Sequence, residues 1–185
     1  MNILVDKLPT EYEGLKIETN FRSFILFELL MQDRYFKKEE KIALALRLFY
    51  KETPKDIKKA LKVIIWFYAR GDSGKKSSKN NEKSSKKNIY SFEHDANLIY
   101  SAFWHDYRLD LNEIVYLHWW KFKSLFDGLN EENRICKYME YRAVDLSKIK
   151  DKDEKDKYKK LKQLCALPDE RTEEEKENDF AEAFW

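Results

Sequence analysis

Thr19-Asn20-Phe21-Arg22-Ser23-Phe24-Ile25-Leu26-Phe27-Glu28-Leu29-Leu30-Met31 is the stretch on which the fold reading turns. Thr19-Asn20 offers a side-chain oxygen to the unpaired amides of a starting helix, the role of an N-cap. Phe21, Phe24, Ile25, Leu26, Phe27, Leu29, Leu30 and Met31 then lie almost all round a 3.6-residue period. An apolar surface that wide predicts a helix buried centrally among others.

Working outward, the residues before it alternate about Glu13-Gly14, with Leu15 and Ile17 on one side and Lys16 and Glu18 on the other. That pattern predicts a short N-terminal β-hairpin. Downstream, a second helix is expected from Glu39 to Tyr50. A third opens at Thr53-Pro54, a cap followed by proline in the first turn, and ends near Gly71. Residues 72–88 are Ser, Asn, Lys and little else, with nothing apolar to bury, and read as a flexible linker.

Beyond the linker, Ser91 is placed to cap a helix from Phe92 to about Tyr107, with the stripe Phe92, Ala96, Ile99, Phe103 and Tyr107. Asp110 with Glu113 resembles a capping box for a helix that runs to Phe126 and stops at Gly128. A shorter helix from Asn130 and a lysine-rich one from about Asp153 to Leu164 complete the set, and Pro168 ends the last. The expected fold class is mainly α, a compact helical domain of about six to eight helices with a short N-terminal β-hairpin. Residues 1–71 supply the hairpin and three helices, 72–88 the linker, 89–168 helices that pack with the N-terminal part in one domain, and 169–185 an acidic C-terminal tail.

Composition agrees with this architecture. Apolar residues make up 43% and aromatics 15%, enough large side chain for a core, whereas charged residues reach 38% with only four glycines and three prolines. Helices with densely charged outer faces fit that profile. Cys136 and Cys165 match no zinc spacing and no disulfide framework, which predicts a reducing compartment. Met1 to Lys7 lacks the basic leader of a secretion signal, and no apolar run approaches the roughly 20 residues that span a bilayer. A cytoplasmic location with no membrane partner is expected. The net charge of +2 gives the whole chain little pull toward nucleic acid.

Four features imitate chemistry and fail on inspection. Gly71-Asp72-Ser73-Gly74-Lys75-Lys76-Ser77 has two residues between its glycines, where a phosphate-binding loop has four, and carries Lys76 where Ser or Thr would hold magnesium. His94-Asp95 and His105-Asp106 suggest metal ligands. On one helix, however, the two histidines stand roughly 16 Å apart along the axis and face away from the apolar stripe. His118 reads as a satisfied core or boundary residue. The lysines between 75 and 87, and between 148 and 162, lack the arginines and stacking aromatics of a nucleic-acid groove. The second set is interleaved with Asp151, Asp153, Glu154 and Asp156 as on a solvated helix face. Glu28 is a lone acid, for which an ion pair with Arg22, Arg47 or Arg142 is expected. The chain is thus expected to be no enzyme, with no catalytic residue, cofactor or metal, and to work by binding protein.

Two adjacent tryptophans mark a candidate interface. On a helix from Asn112 to Phe126, Leu111, Val115, Trp119, Phe122 and Phe126 share one arc, which places Trp119 in the core. Trp120 then points about 100° away, near Tyr116 and Lys123. Tyr116, Trp120 and Lys123 are therefore the candidate protein-binding residues, since an exposed tryptophan beside a tyrosine is a favoured interface anchor. The alternative is that Trp120 packs on another helix of the same chain.

Longer words in the sequence carry a resemblance. These are Thr19-Asn20-Phe21-Arg22 with Phe27-Glu28-Leu29-Leu30, and Phe92-Glu93-His94-Asp95-Ala96 with Leu98-Ile99-Tyr100-Ser101-Ala102-Phe103. Asp110-Leu111 with Tyr116-Leu117-His118-Trp119-Trp120-Lys121-Phe122 is the strongest match, followed by Tyr141-Arg142, the run Asp145 to Lys152, Tyr158, and Ala166-Leu167-Pro168. Through them the chain resembles the phage "gp-fifteen" family of tail-morphogenesis proteins of siphophages and prophages. The family's gene order, just before the tape-measure protein, implies a tail-assembly chaperone that holds that long helical chain soluble. The resemblance also implies self-association into a homo-oligomer. The alternative it leaves is a structural head-tail or tail-completion component of the virion.

Overall fold

The protein is described here by a computed structural model, which covers residues 2–71 and 89–168. The expected linker at 72–88 and acidic tail at 169–185 lie outside the described residues.

The hairpin pairs β1 (Glu11–Tyr12) with β2 (Leu15–Lys16), with Glu11 opposite Lys16 and Tyr12 opposite Leu15. Glu13 and Gly14 both take positive φ, 51° and 76°, the two-residue turn whose twist suits adjoining strands. The Tyr12 ring lies flat on Trp66, with ring centres 3.9 Å apart.

Seven helices follow among the described residues: α1 (Phe21–Gln32), α2 (Lys38–Phe49), α3 (Ile57–Tyr68), α4 (Ala96–Tyr107), α5 (Trp119–Asp127), α6 (Arg134–Ala143) and α7 (Lys152–Leu164). Asn20 caps α1 as expected, its side chain accepting from the Arg22 amide at 3.2 Å. The third helix starts later than Thr53-Pro54 suggested. Asp56, itself extended, is its cap, accepting from the Lys59 amide at 2.9 Å, because its carboxylate reaches the third helical amide. Ser91 does accept the amides of Glu93 and His94, but the turn it caps precedes α4, which begins at Ala96.

The largest departure lies between Asp110 and His118. The capping signal is real: Asp110 accepts the amides of Asn112 and Glu113 at 2.8 and 3.3 Å. It starts only a turn. The chain then runs extended beside the start of α1, where the Phe21 amide donates to Leu117 O and the Trp119 amide to Thr19 O, at 2.9 and 2.8 Å. Arg22 collects the carbonyls of Leu111, Asn112 and Ile114 at 2.7 to 3.1 Å. Tertiary partners thereby satisfy backbone groups that a continuous helix would have paired locally. Val115, expected on the buried stripe, is 89% exposed.

His118 restarts the helix. Its Nδ1 accepts the Trp120 amide at 3.1 Å, and its Nε2 faces Pro9 O at 2.9 Å. A carbonyl can only accept, so Nε2 carries the proton and the neutral ring bridges α5 to the N-terminal segment. Burial holds its pKa below the ordinary histidine value, against the opposing pull of the Pro9 bond.

The central helix is α5 rather than α1. Phe122 is fully buried, with the rings of Phe21, Phe103, Trp119, Phe92 and Phe126 around it at 4.9 to 6.2 Å. By contrast α1 buries Phe21, Phe24 and Glu28 but leaves Leu26 and Met31 exposed. The eight apolar residues among the twelve of α1 therefore exceed what the core absorbs. Among the described residues no helix is long and apolar enough to cross a membrane.

Candidate functional site

The surplus apolar surface of α1 meets that of two neighbours. Between α1, α2 and α3 runs a groove of about 490 Å³, with Ala45 and Ile64 as its buried floor and Phe27, Met31, Phe36, Ile42, Leu61 and Ile65 as its walls. Met31, Phe36 and Ile65 remain 41%, 43% and 59% exposed, so three large apolar side chains gather at one opening. Scattered single exposures are ordinary; a shared apolar lining is what singles this groove out as the candidate site.

Local chemistry holds the groove open. Asp33 ends α1, and its Oδ1 accepts the amides of Tyr35 and Phe36 at 2.7 and 3.2 Å, which fixes the turn that presents Phe36. Glu40 accepts the Lys37 amide at 2.7 Å and starts α2. Lys41 donates to Met31 O at 2.9 Å, closing one of the carbonyls left open at the end of α1. Lys38 and Lys41 also line the groove. On α3, Lys58 and Lys62 flank the Leu61-Ile65 stripe at helical spacing, and that helix holds no acidic residue. The site is an apolar trough with a cationic edge.

The residues expected to form an interface lie elsewhere. Trp120 is 4% exposed, and its Nε1 donates to Phe67 O at 2.7 Å while the indole packs on Trp66. Its exposure was inferred from a helix with one buried face. Because α5 packs between α1 and α3, both faces are covered, so the expected exposed anchor is corrected to a core residue. Trp119 is buried as expected, with Nε1 donating to Tyr68 O at 3.1 Å. Tyr116 is half exposed, but it precedes α5 and its hydroxyl shares a 2.7 Å hydrogen bond with Thr19. Lys123 lies over the rings of Tyr90 and Phe126 and pairs with Asp127 at 3.5 Å. The three are thus held by three separate sets of partners.

Glu28 finds none of the expected arginines. Tyr68 donates to it at 2.8 Å and Gln32 at 3.5 Å, and Tyr90 also hydrogen-bonds it. Desolvation raises its pKa above the ordinary glutamate value, with Tyr68, Lys123 and Tyr90 opposing. Burial beside this carboxylate also pushes the Tyr68 and Tyr90 hydroxyls well above the usual tyrosine range. Arg142 instead grips Asp95 with two bonds of 2.6 and 3.0 Å and also donates to Ile89 O and Cys165 O. Asp95, next to the exposed His94, is itself 3% exposed and forms part of this clip between α4, α6 and the end of α7.

Asp106 accepts the Asn130 amide, the Asn133 amide group and His105, which anchors the turn before α6 and lowers its pKa. His94 and His105 both lie at the surface. Among the described residues no group of three or more His, Cys, Asp or Glu is placed to hold a metal ion.

This arrangement covers nearly the whole length over which one family is matched. The family described as "Bacteriophage Gp15 protein" matches residues 4–167. The chain belongs to that family. No curated protein and no solved structure matches it. Membership makes this a phage protein, and the matched span contains the groove as well as the core that supports it. Sequence reasoning missed the groove in this Gp15-family chain, although one signal was present. An α1 apolar on every side offers more than a single core face can take, and the excess had to emerge somewhere.

Proposed function

We propose that this phage protein is a tail-assembly chaperone, without catalytic activity, that binds an apolar stripe of the tape-measure protein in the α1–α3 groove. The observation that supports the reading is the convergence of Met31, Phe36 and Ile65 on one trough. A long helical chain with exposed apolar stripes needs repeated grooves of this kind, each taking side chains at i, i+3, i+4 and i+7. Self-association of several copies along it multiplies modest single contacts into stable retention.

Co-expression with the tape-measure protein of the same phage tests this reading. The partner is expected in the soluble fraction, co-eluting with the wild-type chain. Ile65→Asp, at a position 59% exposed, should leave the fold unchanged and release the partner. Equal co-elution by a folded Ile65→Asp variant removes the groove from the mechanism. Stoichiometric recovery of the protein in purified virions instead supports a structural component.

A further inference from the structure

We propose that the α1–α3 groove selects an acidic amphipathic helix, one whose apolar stripe is bordered by glutamate or aspartate. The proposal rests on the reading of this groove as the binding site and names the chemistry of its occupant.

The walls decide the backbone of that occupant. They are side chains of three helices and of the turn between α1 and α2. Helices pair their amides and carbonyls internally, so a segment laid between them meets no strand ladder and must pair its own backbone groups, as a helix does. Along α3, Ile57, Leu61 and Ile65 follow at i, i+4 and i+8. At about 1.5 Å per residue that wall is about 12 Å long, which matches about two turns of a partner helix.

Charge decides the flanks. Residues 21–70 hold twelve basic residues against six acidic ones, a net of +6 in a chain whose total is +2. Four of those acids are engaged at other places: Glu28 accepts from Tyr68, while Asp33, Glu40 and Asp56 accept backbone amides at helix ends. Glu39 lies roughly 110° round α2 from the middle of the lining positions Lys38, Lys41, Ile42 and Ala45. Among the described residues, none of those lining the groove is acidic.

Lysines therefore border two of the three walls. Lys38 and Lys41 line the groove from α2, with the Lys41 ammonium fixed on Met31 O at 2.9 Å. Lys58 and Lys62, both exposed, flank Leu61 and Ile65 on α3. An acidic border on the occupant meets opposite charge on both sides, whereas a basic border sets like charges against all four lysines and is rejected. Exposed ion pairs are weak singly, so selectivity comes from the set and is graded rather than absolute.

The test uses the full chain and two fluorescein-labelled synthetic peptides of about four helical turns. Both carry leucines at i, i+4, i+7 and i+11, and they differ only in having Glu or Lys at the flanking positions. Fluorescence anisotropy at about 20 mM salt should show the Glu peptide bound about tenfold more tightly. The two affinities should converge at about 0.5 M salt, where charges are screened within about 4 Å. The double variant Lys58→Glu, Lys62→Glu should reverse the preference, and Ile65→Asp should abolish binding of the Glu peptide. Circular dichroism and thermal melts confirm that each variant is folded. Equal affinity for the two peptides in wild type overturns the proposal, as does a preference that the double variant leaves unchanged. Undiminished binding of the Glu peptide by Ile65→Asp overturns it too, because the contact then lies outside the groove. Should tape-measure retention depend on Ile65 while the Glu peptide is not preferred, only this proposal falls. Should the peptides behave as expected while retention ignores Ile65, only the proposed function falls.

Discussion

Replacing Trp120 tests whether α5 is covered on both faces. The side chain is 4% exposed, lies 5.4 Å from the Trp66 ring and 6.1 Å from Phe67, and donates its only proton to Phe67 O at 2.7 Å. Trp120→Ala leaves a large hole there, and truncations of this kind cost about 3 to 5 kcal/mol. The hydrogen bond adds little to that figure. Phe67 O also accepts the Arg70 amide, so no carbonyl is orphaned, and the loss is about 1 kcal/mol. Against a total stability of about 5 to 15 kcal/mol the alanine variant approaches the limit of folding, so Trp120→Phe, costing about 1 to 2 kcal/mol, supplies the graded point.

Gly71 provides an independent check. A Cβ there would stand 3.1 Å from the tip of the Trp120 ring, and its φ of +79° strains any L side chain. Gly71→Ala should therefore cost about 1 to 3 kcal/mol, and the steric part should shrink in a Trp120→Phe background while the backbone part remains. Urea melts of the two single variants and the double variant measure the coupling. A Trp120→Ala protein within about 0.5 kcal/mol of wild type, as at an ordinary surface site, would refute this placement of the indole.

Other outcomes follow from the same contacts. Because the folded pKa of Glu28 is raised, the stability it contributes is complete below about pH 4.5 and is lost as pH rises through the folded value, so wild type should lose stability across that window relative to Glu28→Gln. Denaturant melts at a series of pH values would contradict this if the two proteins kept a constant difference. Arg142→Met should cost about 3 to 5 kcal/mol by leaving the buried Asp95 carboxylate without its cation, and the added change Asp95→Asn should recover part of it; a cost below about 1 kcal/mol shows that the clip is dispensable. His94→Ala and His105→Ala should each change stability by no more than about 0.5 kcal/mol, and elemental analysis that finds a stoichiometric metal in wild type but not in His94→Ala would contradict their reading as non-ligands.

The sequence alone determined what depends on neighbours a few residues away. Asn20 capping α1, the hairpin turn at Glu13-Gly14, the spacing of Phe103 and Tyr107 on α4, and the lysine-rich surface of α7 each follow from local chemistry and came out as expected. Family membership was legible for a similar reason, since the resemblance was carried by short runs such as His118-Trp119-Trp120 that are read directly from the chain. Only the tertiary structure decided which helix is central and where apolar surface is left over. Asp110 offers a sound cap, yet Leu117 and Thr19 O find partners across the chain at Phe21 and Trp119, pairings that no local period records. That exchange starts α5 at Trp119 and lets both tryptophans turn inward. Helical periodicity says which residues share a face but not how many faces are covered. Burial is set by the number of neighbours that arrive, and those arrive from distant parts of the chain.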